Sequence, residues 1–76
     1  MVEAVFGRVL RGLRRRAGLS QEKLGELADL HRTYISLIER GVNCPSLDTL
    51  LKLSRALDVS LPDMMAAFEQ ELSPGP

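Results

Sequence analysis

Aromatic side chains are scarce in this chain of 76 residues, which has no tryptophan, one tyrosine and two phenylalanines. A core must therefore be assembled from aliphatic residues, and at this length folding removes only about 60 % of the unfolded chain's surface from water, which leaves little room for an enclosed active site. Cys44 is the sole cysteine and His31 the sole histidine. Together they exclude an intramolecular disulfide and any metal site built from Cys and His ligands, so no cofactor is expected and a reducing cytoplasm is the expected compartment. No run approaches the ~18 consecutive apolar residues of a membrane span. The N-terminus lacks the basic segment, apolar stretch and small-residue cleavage site of a secretory signal. No stretch alternates with a period of two, and no internal repeat or low-complexity tract interrupts the chain, so neither strands nor a solenoid is expected.

An excess of one charge is also missing, since ten basic residues balance ten acidic ones. The balance conceals a gradient. Through Arg40 there are eight Lys and Arg against five Asp and Glu; from Gly41 onward there are two against five. A basic first half suits a polyanionic partner, although an isoelectric point of about 6.6 is far below the value above ~9 that would point to nucleic acid on charge alone. Hydrophobic residues at 45 % and charged residues at 26 % place the chain among folded globular domains rather than disordered ones.

Apolar residues follow the helical period. Phe6, Val9, Leu10 and Leu13 recur at i, i+3, i+4 and i+7, predicting a first helix over about 3–17 with arginines on its other face. Gly7 and Gly12 within it each cost about 1 kcal/mol relative to alanine. Ser20 is a suitable N-cap for a second helix over 21–28, with Glu22 at the positive end of its dipole. Asp29 supplies a residue tolerant of the left-handed conformation that a tight interhelical turn requires. A third helix spans about 31–40. After "GVNCPS", Ser46 caps a fourth helix over 47–57, whose inward stripe is read as Leu47, Leu50, Leu53 and Leu57, with Ala56 beside it. Ser60 and Asp63 resemble a capping box for a fifth helix over 61–72. The expected architecture is all-α, a single five-helix domain over 1–72 with a disordered tail at 73–76.

The third helix is the unusual one. In "HRTYISLIERG", Ile35 and Ile38 form an inward face, while Arg32, Thr33, Ser36, Leu37 and Arg40 point outward and include a leucine that a purely solvated face would not need. Two short helices joined by a turn of three or four residues, the second carrying such a split face, describe a helix-turn-helix. Met65, Phe68 and Leu72 of the last helix, following Leu61 and with Met64 alongside, form a second unexplained apolar stripe. It exceeds what a terminal helix of so small a domain can bury, and a two-fold dimer interface is the expected cover, the alternative being that Phe68 completes the protomer's own core.

The stretch from Leu10 to Leu61, with "GLSQ" opening the second helix, "YISLIERG" in the third and "PSLDTLLKLSRALDVS" around the fourth, resembles the lambda-repressor-like, Cro/CI or XRE family of DNA-binding domains. Within it, "RTYIS" followed by "IERG" in so short a chain also resembles the controller proteins of bacterial restriction-modification systems. The resemblance implies a cytoplasmic, non-enzymatic transcriptional regulator that binds a (pseudo)palindromic operator as a homodimer. Its implied partners are double-stranded DNA, a second copy of itself and RNA polymerase, and with no sensor domain, control runs through concentration and partners. It implies base reading by Arg32, Thr33 and Ser36, and by Leu37 if that side chain meets a thymine methyl rather than a neighbouring helix. Phosphate contacts are implied for Gln21, which also braces the third helix, and for Tyr34, Arg40 and Asn43, and a structural ion pair for Arg14 with Glu39. His31, without a nucleophile or an orienting acid, is read as a cap or a phosphate-side residue rather than a catalytic base. Asp29 stands where the family usually has glycine, and Cys44 where it often has a basic or polar residue. Two other classes remain open on sequence grounds, a protein-interaction module of the same fold, such as an antitoxin domain, and a structural helical adaptor. Binding that weakens steeply with salt separates the DNA-binding reading from both.

Overall fold

Three serines begin three helices. Ser20, Ser46 and Ser60 each accept a hydrogen bond from the backbone N–H three residues on, those of Lys23 at 3.0 Å, Thr49 at 3.1 Å and Asp63 at 3.1 Å, which satisfies donors that the first turn cannot pair. The chain, described over residues 1–73 as a computed structural model, is built of α1 (Val2–Arg16), α2 (Gln21–Ala28), α3 (Arg32–Glu39), α4 (Leu47–Leu57) and α5 (Leu61–Leu72). There is no strand among the described residues. Ser73 follows α5 as its C-cap, and the rest of the expected tail lies outside the described residues.

Against α1 pack α3 and α5, against α2 pack α3 and α4, and α4 meets α5. At the centre, Leu10, Leu24, Ile35, Ile38, Leu53 and Met64, one or more from every helix, are fully buried. Each stabilises the fold by roughly 1.5–3 kcal/mol relative to an exposed side chain. Phe6 joins this cluster and meets Phe68 edge-on, with ring centroids 6.0 Å apart. Gly7 permits the tightest approach, because a Cβ there would lie 2.6 Å from the Ile38 carbonyl oxygen and about as close to that of Glu39. The first helix therefore rests directly on the backbone at the end of α3, and Gly7 is a packing requirement rather than the mere propensity cost expected from the sequence.

Two expectations about inward faces are corrected. Leu47 is 76 % exposed. It occupies the first position of α4, while Leu50, Leu53, Leu57 and Ala56 turn inward as expected, joined by buried Thr49 and Ser54. Buried Thr49 is tolerated because Ser46 Oγ donates to its hydroxyl at 3.1 Å, and Ser54 Oγ donates to the Leu51 carbonyl at 3.0 Å, so neither hydroxyl is left unpaired. Met64, placed alongside an outward stripe by the sequence pattern, is instead wholly within the core. Proline at the second position of α5 leaves that first turn intact, since its missing N–H is not needed there.

Candidate nucleic-acid interface

The turn between α2 and α3 is made by three residues. Asp29 adopts the left-handed conformation at φ 58° and ψ 47°, and the Leu30 N–H donates to the Gly25 carbonyl at 2.8 Å. A Cβ at Gly25 would stand 2.5 Å from the Leu30 carbonyl oxygen, so the chain doubles back this sharply only over a glycine. His31 then caps α3, its Nδ1 accepting the Thr33 N–H at 3.0 Å. His31 and Arg40, expected as the end residues of the third helix, are its N-cap and C-cap.

Helix α3 has two faces of different chemistry. Ile35, Ile38 and Glu39 are buried. Arg32, Thr33 and Arg40 are exposed, and Ser36 and Leu37 half-buried. At helical spacing Arg32, Ser36 and Arg40 form one outward row, with Thr33 and Leu37 beside it. Leu37 is not among the side chains packed against the hydrophobic core, whereas the ring of Tyr34 is. Asn43, half-buried, lies in the loop after α3 and is anchored by its N–H to the Leu37 carbonyl at 3.3 Å.

Glu39 holds this helix in place. Its carboxylate is fully buried and receives Arg14 Nε at 2.6 Å on one oxygen and Arg14 Nη2 at 3.0 Å on the other. Gln21 Nε2 also donates to it, at 3.1 Å. Arg11 Nε stands 3.6 Å away and contributes charge rather than a hydrogen bond. The remaining arm of Arg14 reaches the Leu19 carbonyl at 2.9 Å. One carboxylate thus ties α1, the start of α2 and the end of α3. Burial acts to raise its pKa, but the hydrogen bonds from Arg14 and Gln21 and the charges of Arg14 and Arg11 outweigh that, and the carboxyl stays below the ordinary carboxylate range. The Arg14 guanidinium is correspondingly raised, first by its hydrogen bond to Glu39.

The resemblance pairs Arg14 with Glu39 and has Gln21 brace the third helix, but that Gln21 does so on this same carboxylate, and that Arg11 adds its charge beside them, were not read from the sequence. The i, i+3 spacing of Arg11 and Arg14 was the available signal, because it places both on one face of α1. Met65, Phe68 and Leu72 lie along one side of α5. Leu72 is 45 % exposed, while Met65 and Phe68 are half-buried and pack against the core. Phe68 is thus partly committed to the protomer. An apolar groove lined by Val2, Phe6, Cys44, Pro45, Leu50, Met65 and Phe68 carries this side of α5 toward α4, where Leu47 and Leu51 are exposed as well. Among the described residues no group of His, Cys, Asp and Glu is placed to hold a metal ion, and no helix is long and apolar enough to cross a membrane.

Comparison with known proteins places this geometry. The family described as helix-turn-helix matches residues 10–64. The control protein C.BamHI of Bacillus amyloliquefaciens is 46 % identical over 65 residues, covering 84 % of this chain and 80 % of its own. The crystal structure of the restriction-modification controller protein C.AhdI from Aeromonas hydrophila superposes with a TM-score of 0.79 at 44 % identity, covering 82 % of this chain and 94 % of that one. The controller protein C.Esp1396I, solved as a tetramer on its natural 35 base-pair operator, superposes with a TM-score of 0.88 at 28 % identity over 95 % of each chain.

Proposed function

This chain belongs to the helix-turn-helix family, with restriction-modification control proteins among its relatives, and we propose that it is a sequence-specific transcriptional regulator of the controller kind that binds operator DNA as a homodimer. The observation that carries this reading is the split face of α3, with a reading row outside and a buried carboxylate bracket inside. An α-helix so presented fits the major groove, where the N-terminal residues of a recognition helix approach base edges. Arg32 supplies a bidentate donor suited to guanine O6 and N7, Thr33 and Ser36 supply hydroxyls, and Leu37, which is not packed on the core, supplies an apolar surface suited to a thymine methyl.

Flanking groups position the helix on the backbone. Gln21 uses one Nε2 hydrogen on Glu39 and has a second to offer a phosphate oxygen. Arg40, the Tyr34 hydroxyl and Asn43 complete the phosphate set. The reading contains no catalytic step and no cofactor. It places the protein in the cytoplasm, with RNA polymerase as a further partner, testable by transcription in vitro from a template carrying the operator.

The dimer surface is the side of α5 bearing Met65, Phe68 and Leu72, extended by Leu47 and Leu51 of α4. A two-fold axis there sets the two recognition helices about 34 Å apart, one turn of DNA. Selection of bound duplexes from a random pool tests the whole reading. The expected product is an inverted repeat with half-sites about one helical turn apart, bound with an affinity that falls steeply with salt. Recovery of no common sequence, or binding indifferent to salt, sinks it.

A further inference from the structure

Four helix N-termini in this protein are capped by side chains, and three of those caps are serine hydroxyls, on α2, α4 and α5. The fourth, on the reading helix α3, is an imidazole. We propose that His31 is a positioning residue that couples pH to the discrimination of operator from other DNA, its neutral ring holding the first turn of α3 and its protonated ring releasing it. The proposal rests on the base-reading role given above to Arg32 and Thr33.

The geometry dictates the protonation state. Nδ1 accepts the Thr33 N–H at 3.0 Å, from a residue in the extended conformation of an N-cap at φ −68° and ψ 140°. A ring nitrogen that accepts carries no hydrogen, so the imidazole is neutral with its proton on Nε2. An imidazolium donates from both nitrogens and accepts from neither. Its Nδ1–H would face the Thr33 N–H, and its charge would sit at the positive end of the helix. Thr33, the residue whose amide is capped, also carries one of the outward side chains, and Arg32 lies between cap and amide. Releasing this bond therefore loosens the two residues nearest the base edges.

Histidine is the side-chain type that changes charge between about pH 5 and 8. An open groove brings His31 together with Glu22 and Glu26 of α2, Asp29 of the turn and Arg32 of α3, and Glu26 also stands 3.6 Å from Lys23. These charged groups share the groove with the ring, and the hydrogen bond to Thr33 sets what protonation does. Protonation has two opposed effects on DNA. The added positive charge strengthens attachment to any duplex through its phosphates, and the lost cap weakens only the complex that needs an ordered first turn. Discrimination falls as pH falls.

The test compares the full-length protein on its selected operator and on a scrambled duplex, at fixed salt, from about pH 8 to about pH 5. The ratio of the two affinities is expected to drop roughly three- to tenfold, the scale on which an N-cap contributes. His31→Asn keeps a capping side chain that does not titrate, and its ratio should stay level, which also subtracts whatever the neighbouring carboxylates and Arg32 contribute. His31→Ala should give a low ratio at every pH. A wild-type ratio that tracks that of His31→Asn overturns the proposal. Because His31 is the only histidine, its ring nitrogens are assignable by NMR without DNA, and the Thr33 amide should lose exchange protection in step with ring protonation. A ring carrying its proton on Nδ1 at high pH overturns the proposal directly. Absence of operator preference at high pH overturns the DNA reading and this proposal with it, and a normal ring titration in that case shows that the cap was not at fault.

Discussion

Glu39 is a carboxylate placed where water cannot reach it, and its three partners arrive from two different helices. Removing one partner of such a pair leaves a buried charge uncompensated. Arg14→Ala is therefore expected to cost about 3 kcal/mol, and a double-mutant cycle with Glu39→Ala should show coupling of about 1–3 kcal/mol in thermal or denaturant unfolding, against ~0.2–1 kcal/mol for an exposed pair. Additive losses would mean that Gln21 and Arg11, not Arg14, hold the carboxylate. The lowered pKa of Glu39 in the folded chain also fixes the sign of a pH effect. Its contribution is fully present above the unfolded carboxylate range near ~4.3 and is lost as pH falls through the lower folded value. Unfolding followed against pH should show a shallower acid limb in Glu39→Gln than in the wild type. On the outward face, Arg32→Ala should lose ~1–3 kcal/mol of operator binding and relax preference at one base pair per half-site, read by repeating the selection. Arg40→Ala should weaken specific and scrambled duplexes alike and reduce the slope of log affinity against log salt by about one unit. An unaltered slope would remove Arg40 from the phosphate set.

The two glycines of α1 look alike in the sequence and behave differently in the fold. A Cβ at Gly12 meets nothing within 4 Å, whereas at Gly7 it would collide with two backbone carbonyls of α3. Gly12→Ala should accordingly raise stability by about 0.5–1 kcal/mol. Gly7→Ala should lower it by about 1–3 kcal/mol despite the better helix propensity, because α1 must lift off the end of α3. Thermal unfolding of the two variants side by side checks both signs. The contrast also marks what the sequence reveals of an element. The starts of α2, α4 and α5 are legible because Ser20, Ser46 and Ser60 act locally, and α3 is recognisable by its divided face. Leu47 and Met64 were misplaced because helical spacing defines a stripe but not which neighbours cover its ends. The Arg14–Glu39 pair was legible only through the family resemblance, and helical spacing puts Arg11 beside Arg14, but the meeting of both with Gln21 on one carboxylate depends on how α1, α2 and α3 cross, which spacing along the chain does not announce.

At the scale of the whole molecule, the basic first half contributes α1 to α3 and the acidic second half contributes α4 and α5. A dimer joined through α4 and α5 would keep the acidic halves central and present two basic surfaces to one face of a duplex. Phe68 is an ambiguous probe of that dimer because its ring also packs edge-on against Phe6. Leu51, 39 % exposed, is a cleaner one. Leu51→Glu should leave circular dichroism unchanged, convert the sedimenting species to monomer and reduce operator affinity by more than tenfold, since a monomer retains only one half-site of contacts. A variant that stays dimeric would move the interface off α4. The same architecture bears on how such a protein diverges. On the eight residues of α3, the side chains that anchor the helix and those that face outward do not overlap, so exchange of Arg32, Thr33, Ser36 or Leu37 leaves Glu39 and its partners untouched. If the outward row reads bases as proposed, a new operator can be acquired by change on one surface with the scaffold kept intact, and duplicated copies in one cell can become deaf to each other's promoters without passing through an unfolded ancestor.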